Sequence, residues 1–297
     1  MPGEHFTVAP HWEWWILGYF FLAGIAGGSY ALGTMLRLVG DRRDQPAARV
    51  AFLIAFPVLV VCPILLTADL GQPFRFWHML IDSSSGVPVF KYWSPMSLGA
   101  WALTVFGIFA FVSFVEALVL DGRIRHPLGN RLARALSGIF GRLFLVVGTL
   151  LGLFVAGYTG VLLSVSNQPV WSDTWTLGGL FLVSGLSAAT ALIGIWVWRR
   201  RDARVTTEKL SEADRYFVII ELVLLALFFI TLGSVVSKIL SGGWLLLWLL
   251  VLAGALVPLA VHFRPAWARQ VPPLVPAVFA LVGVLALRAV IIFSAQS

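Results

Sequence analysis

Cysteine is nearly absent from this sequence: Cys62 is the single one in 297 residues. An internal disulfide is impossible, and an iron–sulfur cluster, which takes about four thiolates, has no ligands here. A Cys-rich zinc site is excluded on the same ground. No C-x-x-C-H run is present for covalent haem attachment. Charge is scarce too, at 12% of residues against 59% hydrophobic. Soluble domains carry about 25% charged residues. A soluble enzyme, a secreted disulfide scaffold and a disordered chain are all excluded. With a mean hydropathy of +0.91, what remains is a polytopic helical membrane protein. Any metal redox centre that it uses is expected on a partner protein. Residues 1–15 lack a basic stretch leading into an apolar run, so no cleaved signal peptide is expected.

What is present is a series of long apolar segments. Eight stand out, at 14–38, 50–68, 95–120, 139–165, 174–198, 216–236, 244–263 and 273–293. Each is long enough to cross a bilayer as a helix, which takes about 20 residues. Lipid tolerates only helices or closed barrels, and a barrel would show shorter alternating segments. The intervening charges alternate. Seventeen of the 21 basic residues fall in loops on one side, among them Arg42, Arg123, Arg200, Arg264 and Arg269; Arg75, Lys91, Lys238 and Arg288 make up the rest. The positive-inside rule places the first set in the cytoplasm and both termini outside. The inner side is then net +8 and the outer side net −1. This charge pattern follows the loops, so nucleic acid is not an expected partner, whereas membrane lipid is.

Small residues recur at helical spacing, as Gly24-x-x-x-Gly28 on span 1 and Gly148-x-x-x-Gly152-x-x-x-Ala156-x-x-x-Gly160 on span 4. Such spacing lets helix backbones approach closely. Gly27, Gly28 and Gly157 are also candidates for leaving room beside a ligand. No internal repeat is evident, which argues against a duplicated transporter fold.

Ionisable and polar residues inside spans are costly and point to function. Tyr19 lies a turn inside the outer end of span 1, below the tryptophan belt of Trp12, Trp14 and Trp15. Asp69 ends span 2 on the same side, and Arg75 and His78 follow in the outer loop. Tyr158 lies two turns from the outer end of span 4. If spans 1, 2 and 4 pack together, these groups gather at one membrane face. Such a set suits a quinone, whose two carbonyl oxygens need donors and whose reduction needs two protons. Tyrosine and histidine can donate, and a carboxylate with a histidine can relay protons. The plainer reading makes the tyrosines interfacial anchors and pairs Asp69 with Arg75. The histidines, His5, His11, His78, His126 and His262, provide no facing pair for haem b. Glu116, Glu221, Lys238 and Arg288 are either steps of a proton path or snorkelling and paired residues near helix ends.

Several motifs together carry a resemblance. Ala68-Asp69-Leu70-Gly71-Gln72-Pro73-Phe74-Arg75-Phe76 resembles the outer loop of the NrfD/polysulfide reductase membrane-subunit family. Trp93-Ser94-Pro95-Met96-Ser97-Leu98-Gly99-Ala100-Trp101 is similar to its span 3 opening. Gly157-Tyr158-Thr159-Gly160-Val161-Leu162-Leu163-Ser164, followed by Asn167-Gln168-Pro169-Val170-Trp171, and the span 1 run Ala23-Gly24-Ile25-Ala26-Gly27-Gly28 resemble it as well. The likeness extends over about residues 12–190.

The resemblance implies eight transmembrane helices in two four-helix bundles. It implies a quinone-binding membrane anchor of a respiratory oxidoreductase complex in a bacterial or archaeal cell membrane. Its cofactor would be menaquinone or ubiquinone, with no haem or iron–sulfur cluster in this chain. Its partners would be a ferredoxin-like iron–sulfur subunit and a molybdopterin catalytic subunit or multihaem cytochrome. Tyr158 matches the span 4 tyrosine of the family, and Asp69 an acidic position with a proton-relay role. Some relatives carry an Asn/His pair on span 1, where this sequence offers Ile16 and Tyr19. The site set expected is therefore Tyr19, Tyr158 and Arg75 on the quinone, with Asp69 and His78 handling protons. Residues 1–198 would form the first bundle plus a linking fifth span, and 199–297 the remaining spans. The alternatives are a small-solute or ion transporter and a purely structural anchor.

Overall fold

The computed structural model describes residues 10–263 and 270–296. His5, Arg264 and Arg269 lie outside the described residues. The protein is all-helical. We number the helices α1 (Trp14–Leu38), α2 (Gln45–Asp69), α3 (Pro95–Leu120), α4 (Pro127–Ala135), α5 (Ile139–Ser164), α6 (Leu177–Arg199), α7 (Thr207–Leu232), α8 (Val236–Ile239), α9 (Trp244–Phe263) and α10 (Leu274–Gln296). Among the described residues, eight helices are long and apolar enough to cross a membrane. The only β pairing among them is one isolated bridge, Ile81 to Pro88.

Local chemistry sets the helix ends. Pro95 occupies the first turn of α3, where its missing N–H costs nothing. The Ser94 hydroxyl caps that turn by accepting from the Ser97 N–H at 3.4 Å. His126 caps α4 in the same way, its Nδ1 accepting from the Leu128 N–H at 3.3 Å. α4 is a short amphipathic helix between spans, and the apolar segments give no sign of it. α2 and α7 run on beyond their apolar stretches, starting at Gln45 and Thr207 rather than near 50 and 216.

Helix α1 is the central element. It packs on α2, α5, α6 and α10. Its 18 most apolar residues are 78% buried, against 33% for α3 and α5, so α1 rather than either of them is shielded from lipid. Glycine makes this possible. A β-carbon at Gly28 would fall 2.9 Å from the Gly185 carbonyl oxygen on α6, and one at Gly27 would collide with the Gly152 backbone on α5. These two glycines therefore serve helix packing rather than leaving space for a ligand. Gly254 and Gly283 bring α9 and α10 together in the same manner.

The two ends of the helix array are cross-linked differently. At one end, the Trp12 N–H donates to Gln296 Oε1 at 2.7 Å, and Trp171 Nε1 donates to the Ile291 carbonyl at 2.8 Å. The stacked rings of Trp12 and Trp171 complete this seam. The opposite end is ionic. Arg37 holds Glu116 through two hydrogen bonds, and Asp121 gathers Arg49, Arg123 and Arg200. Lys209 and the Thr206 hydroxyl converge on the buried Asp44. Glu116 is thus a paired residue near a helix end. Lys238 donates to the Ala295 carbonyl at 3.4 Å. Arg288 is fully buried, and Glu221 is buried on α7.

Candidate functional site

The end bearing Trp12 and Trp171 contains a cavity of ≈ 200 Å³. Its walls come from α1, α2, α3 and α5, with a lid from the 3-10 segment Pro73–Met79 that follows α2. Most of the lining is apolar, Ile16 and Pro63 included, and Tyr19, Asp69 and Tyr158 project into it, with Thr67 and Thr104. Three of the five residues singled out from sequence therefore share one space.

Tyr158 is fixed by its surroundings. Its hydroxyl donates to the carbonyl of Pro95, at the first turn of α3. Its ring stacks on Phe154 at 5.5 Å between centroids. The ring lies where a side chain on Gly99 would be, since a β-carbon there would come within 2.9 Å of the Tyr158 hydroxyl oxygen. Gly99 is thus part of the site, although nothing in the sequence alone assigns it a role. Its signal is present there, because Gly99 and Tyr158 belong to two of the four family-like motifs.

Tyr19 is buried on α1 with its ring edge-on to Phe20. Among the described residues no hydrogen bond engages its hydroxyl, so that donor is available to a ligand. Asp69 closes α2 and is half-buried at the cavity wall. Among the described residues it has no ion-pair partner, and the expected alternative pairing with Arg75 is not formed.

Arg75 and His78 are placed otherwise. Both are exposed on the 3-10 segment, and neither lines this cavity. His78 packs edge-on to Trp77 and lines a neighbouring pocket of ≈ 190 Å³ with Asp82, Lys91 and Ser97. Met79 and Met96 line both spaces and form the wall between them. Gly157 lines a separate groove on the other side of Tyr158.

Chemically, the cavity offers hydroxyl donors and one carboxylate in an otherwise apolar enclosure near the end of the spans. A buried apolar pocket with a few convergent polar groups is the usual form of a small-molecule site. Fold and cavity together define a class: a multi-pass helical membrane protein with a polar-tipped ligand cavity near one end of its helices.

Comparison with known proteins narrows that class. A family model described as "Polysulphide reductase, NrfD" matches residues 4–297. The protein belongs to this family, as the four motifs had suggested. It is 27% identical to the polysulfide reductase chain of this family in Wolinella succinogenes, over 96% of its own length and 94% of that relative's. It is equally 27% identical to protein NrfD of Escherichia coli, over 96% of its own length and 95% of that relative's. A shorter match, 26% identical, links 44% of its length to 28% of a selenate reductase subunit of Mesobacillus selenatarsenatis.

Proposed function

We propose that this protein is the membrane subunit of a reductase complex and that it binds a quinone, menaquinone or ubiquinone, in the cavity bounded by Tyr19, Asp69 and Tyr158. The observation that carries this reading is the convergence of those three side chains from α1, α2 and α5 on one apolar space. The names of its relatives, two of them parts of reductases, support the membrane-subunit part. The loop charges put the cavity on the outer face of a bacterial or archaeal cell membrane.

Interconversion of quinone and quinol moves two electrons and two protons. The electrons would cross to an iron–sulfur subunit docked on the outer face, itself joined to a molybdopterin catalytic subunit or multihaem cytochrome. This protein's own residues would bind and move protons. The Tyr19 hydroxyl is a free donor to one carbonyl oxygen. The Tyr158 hydroxyl can serve the second by turning its proton from Pro95 toward the ligand. Asp69, at the aqueous margin of the cavity, accepts and releases the protons. His78, beyond the Met79–Met96 wall, is exposed and can pass protons between Asp69 and solvent through water. Arg75 remains on the docking side of the loop.

Quinol-linked turnover of the assembled complex tests the reading. Tyr158→Phe and Asp69→Asn should each lower turnover while leaving assembly intact. If both retain full quinol activity, the site assignment fails and a structural anchor is the better description.

A further inference from the structure

The cavity has a second end. From the polar trio its lining runs down α2 to Pro63 and down α3 to Thr104, and both of these are exposed on the outside of the helix array. Pro63 stands six residues before Asp69, roughly 9 Å along the helix, and Thr104 nine residues after Pro95, roughly 13 Å along, at 1.5 Å per residue. In a hydrocarbon core about 30 Å thick this depth lies among the lipid tails. The opening is therefore sideways into the bilayer.

Sequence features on both helices form this gap. Pro63 has no N–H to give the Leu59 carbonyl, which bends a helix away from its neighbour. On α3, the Thr104 hydroxyl donates back to the Ala100 carbonyl at 2.8 Å. That bond hides the one polar group at the mouth from lipid and also favours a bend. Deeper in the membrane the two helices do meet, where Phe56 packs on Phe111 and Phe114 with centroids 5.2 Å apart. The helices are thus joined below and parted at the level of the cavity.

We propose that this gap between Pro63 and Thr104 is a lateral portal that seats the isoprenoid tail of the quinone, with its first units lying against Pro63, Ala100 and Thr104. The inference rests on the quinone reading above. At ≈ 200 Å³ the cavity is smaller than the roughly 300–1,000 Å³ that enclose a whole drug-sized ligand. It has room for a ring system and not for a tail. The tail needs an apolar exit at hydrocarbon depth, and the portal is one. Portal residues then select for tailed substrates without touching the reacting atoms.

The test compares a long-tailed quinol with a tailless, water-soluble one on the purified complex. Thr104→Trp fills the portal, whereas Ile108→Trp adds the same bulk one turn deeper, at an exposed position outside the cavity. The expected result is a KM for the long-tailed quinol raised about tenfold in Thr104→Trp, from lost apolar seating. Its tailless turnover should be unchanged, and Ile108→Trp should behave as the parent with both. Equal effects of Thr104→Trp on the two quinols, or none on either, overturn the portal. Failure of the quinone reading shows separately, as full activity of Tyr158→Phe with the tailless quinol. A Thr104→Leu variant gives a milder block should the tryptophan reduce assembly, and the same tail dependence is required of it.

Discussion

A β-carbon on Gly24 would lie 2.8 Å from Nη2 of Arg288 and 3.1 Å from the Cα of Gly185. The missing side chain on α1 is what admits a guanidinium to the junction of α1, α6 and α10. There Arg288 donates to the carbonyls of Phe20 at 3.2 Å and Phe181 at 3.0 Å and to the Ser184 hydroxyl at 3.1 Å, and it lies over the Phe181 ring. Its charge is thus met by backbone dipoles instead of a carboxylate. Gly24→Ala should lower stability by roughly 1–3 kcal/mol, the usual cost of overpacking. The double variant Gly24→Ala with Arg288→Met should recover the share owed to the guanidinium but not that owed to Gly185. Thermal denaturation in detergent, run as a double-mutant cycle, reads the difference.

Gly99 makes a comparable prediction for the site. Its substitution by alanine displaces the Tyr158 ring, because the new methyl would occupy the place of the ring edge. Gly99 itself touches no substrate in the quinone reading, so its role is positioning. Misplacing a catalytic contact by about 1 Å can cost about a hundredfold in rate. Gly99→Ala should therefore cut quinol turnover by about tenfold to a hundredfold in a complex that still assembles. Combining it with Tyr158→Phe should add little further loss.

These two glycines show where the sequence was legible and where it was not. Spans Trp14–Leu38, Pro95–Leu120 and Trp244–Phe263 coincide with the apolar segments, since hydropathy and helix end together there. α7 starts at Thr207 because charged residues continue its helix past the apolar stretch, and hydropathy reports lipid contact rather than helix length. α4 was hidden because it is short and basic. Tyr19, Asp69 and Tyr158 were legible as a group, since depth in each span can be counted from its end. The separation of His78 and Arg75 from them was not, because a 3-10 segment sets where each points. Nor could spacing alone tell that Gly24 faces an arginine 264 positions away while Gly27 faces a helix backbone.

Acid should loosen the loops at the basic end. Hydrogen bonds from Arg200, at 2.9 and 3.1 Å, hold the Asp121 carboxyl below the usual carboxylate range, with Arg49 and Arg123 adding to the effect. Stabilisation from such a group is complete above its unfolded value near about 3.9 and is lost as pH falls through the lower folded value. Melting midpoints should thus hold through neutral pH and drop below about pH 4. Asp82, in the loop before α3, behaves alike: the Ser84 and Ser85 hydroxyls pull its carboxyl down to about 2. Arg200→Gln should cost roughly 1–3 kcal/mol at pH 7 and flatten the acid-side decline. A decline as steep as in the parent would show that Asp121 does not drive it.

The pair Arg37–Glu116 gives the sharpest contrast between removing one partner and removing both. Glu116 is 1% exposed and Arg37 17%, and their two hydrogen bonds, the longer at 2.6 Å, join α1 to α3. A carboxylate buried to that degree cannot find water if its partner is lost. Breaking such a pair costs about 3–5 kcal/mol, whereas replacing both members with apolar groups of similar size is often neutral. Arg37→Met should consequently produce a large fall in the melting midpoint of the detergent-solubilised protein. Arg37→Met combined with Glu116→Leu should restore most of it. Quinol turnover of the double variant should match the parent, because the pair lies at the opposite end of α1 from Tyr19. Loss of turnover in a stable double variant would mean that the basic end takes part in the reaction.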